Sequence, residues 1–68
     1  MKEMFFKNVP ALHYVYNRVR GFYRSQGLTH EGLRLCSHSI LVNEAFERTH
    51  IPKLVKAAKK IGAEYIIK

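Results

Sequence analysis

The chain has 68 residues, a formal net charge of +7 and a single cysteine, Cys36. A chain of this length makes one small domain and buries only about 60% of the surface that it exposes when unfolded. One cysteine excludes an internal disulfide, and no run of about 20 apolar residues offers a transmembrane helix. We therefore expect a globular, cytoplasmic (intracellular) protein without membrane association. We also expect a homodimer, because a second copy would support its small core.

The positive charge is concentrated at the two ends of the sequence. Residues 1–26 carry five basic groups against one acid, residues 27–51 carry two against three, and residues 52–68 carry five against one. If both ends fold to one side of the molecule, they form a single basic surface. Such a surface attracts polyanions, and nucleic acid in particular.

The first half of the chain predicts an N-terminal arm and two helices. The arm covers residues 1–8 and ends at Asn8, a good N-cap for a helix over 9–26. Apolar residues recur at helical spacing in that range, and Gly27 is typical of a helix end. Capping and staple residues predict a second helix over 29–39. Helices therefore dominate this half of the prediction.

Two local patterns need separate interpretation. Gly21 lies inside the first helical pattern, where glycine costs about 1 kcal/mol relative to alanine, so it predicts a close crossing with another helix. The apolar run at residues 40–42 either continues the second helix or forms a short strand, because periodicity cannot separate the two in so short a run.

The last third of the chain predicts a short helix, a turn, a second helix and a strand. Residues 43–61 hold the two helices, with a turn over 49–51 and Pro52 in the first turn of the second helix. Gly62 is expected to end that helix, and residues 63–67 have strand composition. The predicted fold class is therefore mainly α: a small three- to four-helix domain of helix-turn-helix type with a short C-terminal strand.

This tail resembles the end of a winged-helix domain, within the helix-turn-helix superfamily of DNA-binding proteins. In that family the recognition helix runs into a glycine and then into the first wing strand, as the helix from Pro52 runs into Gly62 here. The resemblance covers about the last third of the chain. It implies that residues 52–60 enter the major groove of DNA or lie along it.

The candidate nucleic-acid contacts lie on the last predicted helix, at its N-terminus and on the first helix. The lysines would neutralise phosphates, the two residues at the helix N-terminus would lie near the backbone or base edges, and the arginines would add a second phosphate contact. These residues are Lys53, Lys56, Lys59, Lys60, Thr49, His50, Arg18, Arg20 and Arg24. The alternative interpretation is that these charges only solvate the outer faces of surface helices.

The sequence thus predicts a small basic DNA-binding protein, a transcriptional regulator or an architectural accessory that acts through phosphate contacts. Duplex DNA is the favoured partner, and we expect no enzymatic activity, no catalytic residue and no cofactor. The histidine and cysteine spacings match no standard zinc motif, so no metal is expected.

Two alternative functions remain open from the sequence. One is a protein-interaction module or inhibitor that docks on an acidic protein partner, and the other is RNA binding. The arrangement of charge distinguishes DNA binding from the protein-interaction module, since arginines and lysines on one plane favour nucleic acid. An apolar patch around Phe5, Phe6 and Tyr65 favours a protein partner.

Overall fold

A computed structural model describes residues 1–28 and 31–68 of the protein. The elements in chain order are β1 (Lys2–Phe6), α1 (Val9–Ser25), β2 (Leu33–Leu35), β3 (Ser39–Val42), a one-turn 3-10 helix (Glu44–Phe46), α2 (Glu47–Lys60) and β4 (Tyr65–Ile67). The strands form one antiparallel sheet in the order β2-β3-β1-β4. Two β-α-β units are therefore interleaved in one sheet, which is the ferredoxin-like or split β-α-β arrangement.

The sheet has one face covered by the helices and one open face. Met4 on β1 lies opposite Ile40 on β3 and Ile67 on β4, and these side chains point towards the helices. The alternate residues, among them Phe5 and Leu41, point to the open face, as the two-residue period of a strand requires. The core fills the space between the covered face and the two helices. Its buried apolar members are Met4, Phe6, Leu12, Val15, Val19, Tyr23, Ile40, Val42, Leu54, Ala57 and Ala58.

Capping interactions fix the two ends of α1. The Asn8 Oδ1 atom accepts a hydrogen bond from the backbone N–H of Ala11 at 3.0 Å. At the other end, Gly27 has a φ of +70°, and the N–H of Leu28 donates to the carbonyl of Tyr23 at 2.8 Å. This is the Schellman arrangement, in which a left-handed glycine satisfies the last helical carbonyls. The helix occupies nearly the same residues as the helix predicted over 9–26.

The same arrangement ends α2 and directs the chain into β4. Gly62 has a φ of +67°, and its N–H donates to the carbonyl of Lys59 at 3.2 Å. The N–H of Ala63 donates to the carbonyl of Ala58 at 2.9 Å. Gly62 therefore acts as the helix stop that its position in the sequence indicates, and β4 follows within three residues. No helix in the described ranges is long and apolar enough to cross a membrane.

The predicted fold class is wrong, because the protein is a mixed α/β domain. Helical residues, with the 3-10 helix included, make up 52% of the structure and the four-stranded sheet 23%. The expected N-terminal arm over residues 1–8 contains β1, a central strand that pairs with both β3 and β4. Its apolar run of three residues is too short for a sequence pattern to separate a strand from an arm.

The helix predicted over residues 29–39 is also wrong. The described part of this range contains β2 and the start of β3, while residues 29 and 30, with the expected N-cap Thr29, lie outside the described residues. Gly32 has a φ of +88°, and a Cβ atom there would collide with the ring of Phe46. A left-handed glycine under an aromatic ring cannot belong to a helix, so the chain turns and enters the sheet. The open question at residues 40–42 is resolved as strand.

Residues 43–61 do not form two helices separated by a turn. Asn43 caps the 3-10 helix, since its Oδ1 atom accepts from the N–H of Ala45 at 2.9 Å, and α2 starts directly afterwards at Glu47. The turn expected over 49–51 lies inside α2, and Pro52 is an interior residue of that helix. The sequence-based prediction relied on the preference of proline for a first helical turn, which tertiary packing of the preceding residues overrides here.

Candidate nucleic-acid interface

A groove with four cationic residues runs between α1 and α2 on the helical side of the molecule. It has a volume of about 330 Å³. The lining residues are Arg18, Val19 and Phe22 from α1, and Lys53, Lys56, Ala57 and Lys60 from α2. Arg18 from the first part of the sequence therefore meets three lysines from the last part in one groove.

Helical spacing and small residues build this groove. Lys53, Lys56 and Lys60 are separated by three and four residues, so they lie on one stripe of α2. Beneath them, Ala57 is buried and occupies little space between the helices. On α1, Arg18 and Phe22 are separated by four residues and form the facing wall.

An aromatic ring and an ammonium group meet at one end of the groove. The Nζ atom of Lys53 lies 4.5 Å from the centroid of the Phe22 ring. Phe22 is 45% exposed, which is high for a phenylalanine on a helix that packs against a core. A cation above an exposed ring contributes roughly 0.5–1 kcal/mol, and it holds the ammonium group beside an apolar surface.

The groove cations have no compensating acid among the residues that the structure describes. The two ion pairs in the described ranges join the Met1 amino group to Glu47 at 3.7 Å and Lys7 to Glu64 at 3.6 Å. Neither pair involves a groove residue, and no Asp or Glu lines the groove. Four like charges around one cavity repel each other, so binding of a polyanion there is electrostatically favourable.

The structure does not bring the other predicted cations into the groove. Lys59 is exposed on α2, about 100° around the helix from Lys60. Arg24 is exposed and Arg20 half-buried, and both lie on a different stripe of α1 from Arg18. The Nε atom of Arg20 is buried and has no hydrogen-bond partner within the described ranges.

His50 is a buried structural residue and is not available at the surface. It is 2% exposed, its Nδ1 atom lies 2.7 Å from the hydroxyl oxygen of Tyr23, and its Nε2 atom lies 2.7 Å from the carbonyl oxygen of Glu31. A carbonyl oxygen only accepts, so Nε2 carries the hydrogen and donates. In the neutral ring Nδ1 then accepts from the Tyr23 hydroxyl.

Thr49, which precedes His50 in the sequence, lies on the outer side of α2. Thr49 is exposed in the first turns of α2, and its carbonyl oxygen lies 3.4 Å from the Tyr23 hydroxyl. Burial raises the pKa of Tyr23 above its ordinary value of 10.0. Thr49 is thus accessible at the surface, whereas His50 and Tyr23 are buried and join α2 to α1.

Sequence reasoning missed Phe22 and misread Gly21. Phe22 belongs to the apolar pattern of α1, but it lies about 60° from the centre of the buried stripe, and this angle is the signal that could have marked it as a boundary residue. Gly21 is exposed and no atom lies within 4 Å of the position of a Cβ atom there, so the predicted close helix crossing is wrong.

No protein-family model, no curated protein and no solved structure matches the sequence. The resemblance to the helix-turn-helix superfamily therefore stays a prediction from the sequence. In the ranges 1–28 and 31–68, no group of three or more His, Cys, Asp or Glu side chains has the arrangement of a metal site.

Proposed function

We propose that the protein binds nucleic acid through phosphate contacts in the groove between α1 and α2, as a small regulator or architectural accessory. The observation that supports this proposal is the meeting of four cations, no acid and a half-exposed phenylalanine around one groove. Arg18 offers a planar, bidentate donor to phosphate, and the three lysines add mobile positive charge.

The site favours backbone contacts over the reading of base edges. The three lysines on α2 have no Asn or Gln beside them, and α2 lies against the sheet with Leu54 and Ala58 fully buried. Contacts to phosphate position a nucleic acid without carrying sequence information. We therefore expect salt-dependent binding with little sequence preference.

An acidic protein partner would use the same four cations. The position of Phe22 favours nucleic acid, since an aromatic ring beside cations is the arrangement that bases and phosphates exploit together. A competition experiment distinguishes an acidic protein from a nucleic acid as the ligand of the groove. Poly-glutamate should displace an acidic protein, but it should compete only weakly with a nucleic acid that also contacts Phe22.

The test is fluorescence anisotropy with labelled duplex DNA, single-stranded DNA, duplex RNA and single-stranded RNA. A variant with Lys53, Lys56 and Lys60 all changed to alanine is compared with a control that changes Lys2, Lys59 and Lys68. Both variants lose three charges, and only the first set lines the groove. We expect the groove variant to lose at least tenfold in affinity and the control less than threefold. Equal losses, or no binding by the unmodified protein at low salt, would overturn the proposal.

A second candidate function is self-association through the open face of the sheet. Phe5 and Ile66 are cross-strand partners on this face, Leu41 of the neighbouring strand β3 lies diagonally from Phe5, and Ile66 is 59% exposed. Apolar side chains exposed together on one face are typical of a protein contact.

The charges on the same face match a second copy of the chain. Glu3, which accepts a hydrogen bond from the Ser39 hydroxyl at 2.5 Å, lies near the middle of the sheet. Arg34 faces the same side from the edge strand β2, and Lys68 places its Nζ atom 5.5 Å from the Phe5 ring. A face that carries both signs of charge can pair with itself in a two-fold dimer.

Sedimentation velocity over a range of concentrations tests the dimer. We expect a dimer that dissociates when Ile66→Lys places a charge among these apolar side chains. The matched control is Ile61→Lys, which adds the same charge at an exposed position at the end of α2. A monomer at all concentrations, or equal effects of the two variants, would contradict self-association through this face.

A further inference from the structure

A notch on the outer surface of α1 adjoins the cationic groove. It has a volume of about 410 Å³. Its lining residues are Asn17, Arg18, Gly21, Phe22 and Ser25. Arg18 and Phe22 also line the groove, so these two side chains form the boundary between the two cavities.

Gly21 has no structural reason to be glycine. It lies in the interior of α1, its φ is not positive, and nothing lies within 4 Å of the position of its missing Cβ atom. Glycine at an exposed interior helix position lowers stability relative to alanine. A glycine permits close approach of another molecule to the helix backbone, and Gly21 lines the notch together with Phe22.

The side chains around the notch can bind a flat, polar ring. Phe22 offers an apolar surface that is 45% exposed. The Ser25 hydroxyl donates to the carbonyl of Phe22 at 2.8 Å, which leaves its oxygen lone pairs free to accept. The exposed amide of Asn17 both donates and accepts on the opposite side.

We propose that the notch takes an unpaired nucleobase, so that the ligand of the groove is a single-stranded nucleic acid. The base stacks against Phe22 above Gly21, and the adjoining phosphates lie among Arg18 and the groove lysines. Bases in a duplex are stacked on each other and cannot enter the notch, whereas a single strand combines a cationic track with an aromatic platform. This inference rests on the proposed function and specifies its ligand.

The first test is Gly21→Ala, for which stability and affinity should move in opposite directions. The added methyl group improves helix propensity, and we expect the midpoint of thermal unfolding to rise by about 5 °C. It also projects into the notch, and we expect affinity for a single-stranded oligonucleotide to fall at least threefold. A higher midpoint with unchanged single-strand affinity would overturn the proposal.

The second test uses Phe22, with Phe5 as a matched control. Both rings have a lysine ammonium above them, but Phe5 lies on the opposite side of the sheet. Stacking of one base contributes about 1–3 kcal/mol, so Phe22→Leu should weaken single-strand binding by roughly 5- to 150-fold. Phe5→Leu should leave it unchanged. Because the Phe22 ring also holds the Lys53 ammonium group in the groove, Phe22→Leu should weaken binding of inorganic polyphosphate, which has no bases, by a much smaller factor than it weakens single-strand binding.

Tryptophan fluorescence gives a direct signal of base stacking, because the natural sequence has no tryptophan. Phe22→Trp should give fluorescence that single-stranded oligonucleotides quench and polyphosphate does not, whereas Phe5→Trp should not respond to either. Quenching at position 5 alone, or equal losses for duplex and single strand in Phe22→Leu, would overturn the base site. The variant with Lys53, Lys56 and Lys60 changed to alanine tests the phosphate contacts separately. Failure of the base site and failure of the proposed function therefore give different results.

Discussion

His50 is the residue that joins the two helices to the segment entering β2. Its two ring nitrogens contact Tyr23 of α1 and the backbone of Glu31, and the Phe46 ring stacks on it at 5.4 Å with an interplanar angle of 9°. The sequence alone placed this residue at a nucleic-acid surface. A histidine next to a basic helix looks the same in sequence whether it is buried or exposed, and only the packing of Phe46 and Tyr23 around it determines that it is buried.

Replacing His50 should therefore affect stability more than binding chemistry. His50→Ala removes the hydrogen bonds that the ring makes with the Tyr23 hydroxyl and the Glu31 carbonyl and opens a cavity, so we expect a loss of about 3 kcal/mol in the free energy of unfolding. Urea denaturation measures this loss. The control is His13→Ala at an exposed position on α1, where we expect a change within about 0.5 kcal/mol. Equal effects of the two substitutions would refute the structural role of His50.

At the scale of elements, local signals in the sequence located both ends of α1 and the end of α2, but not the start of α2. Asn8 before α1 and Gly27 after it form capping hydrogen bonds with residues only a few positions away, and Gly62 acts in the same way after α2. Such signals do not depend on the rest of the fold, which is why they can be read from the sequence.

The strands were harder to predict, because they depend on partners far away in the chain. β1 becomes a strand by pairing with β3 and β4, which lie more than 30 residues later. β2 has three residues and no alternating pattern long enough to recognise. The candidate groove shares this property, since Arg18 and Lys56 meet only because two β-α-β units place their helices side by side.

The central position of β1 leads to a test of the fold. Removal of residues 1–7 should unfold the protein, because it deletes the strand that joins β3 to β4 together with the buried Met4 and Phe6 side chains. Far-ultraviolet circular dichroism measures the loss of helix. If residues 1–7 were an arm, the shortened chain would keep its helical signal and its cooperative thermal transition. Lys2→Ala serves as the control, because Lys2 is exposed on the same strand.

At the scale of the whole molecule, the fold separates two surfaces with different physical character. The helical side holds the cationic groove and the notch, and the open face of the sheet holds exposed apolar side chains with charges of both signs. The net charge of +7 is visible in the sequence, but the meeting of Arg18 with three lysines of α2 arises from the topology. A dimer formed through the open faces would point its two grooves outwards, so self-association and nucleic-acid binding are compatible.

The salt dependence of binding is the most direct test of the phosphate-contact account. Four groove cations that neutralise phosphates of a single strand predict a slope of about −3 for the logarithm of the association constant against the logarithm of salt concentration. The Lys53, Lys56 and Lys60 triple alanine variant retains only Arg18 and should give a slope of about −1. The charge-matched variant at Lys2, Lys59 and Lys68 should keep the slope near −3. Equal slopes for the two variants would mean that the groove does not hold the phosphates.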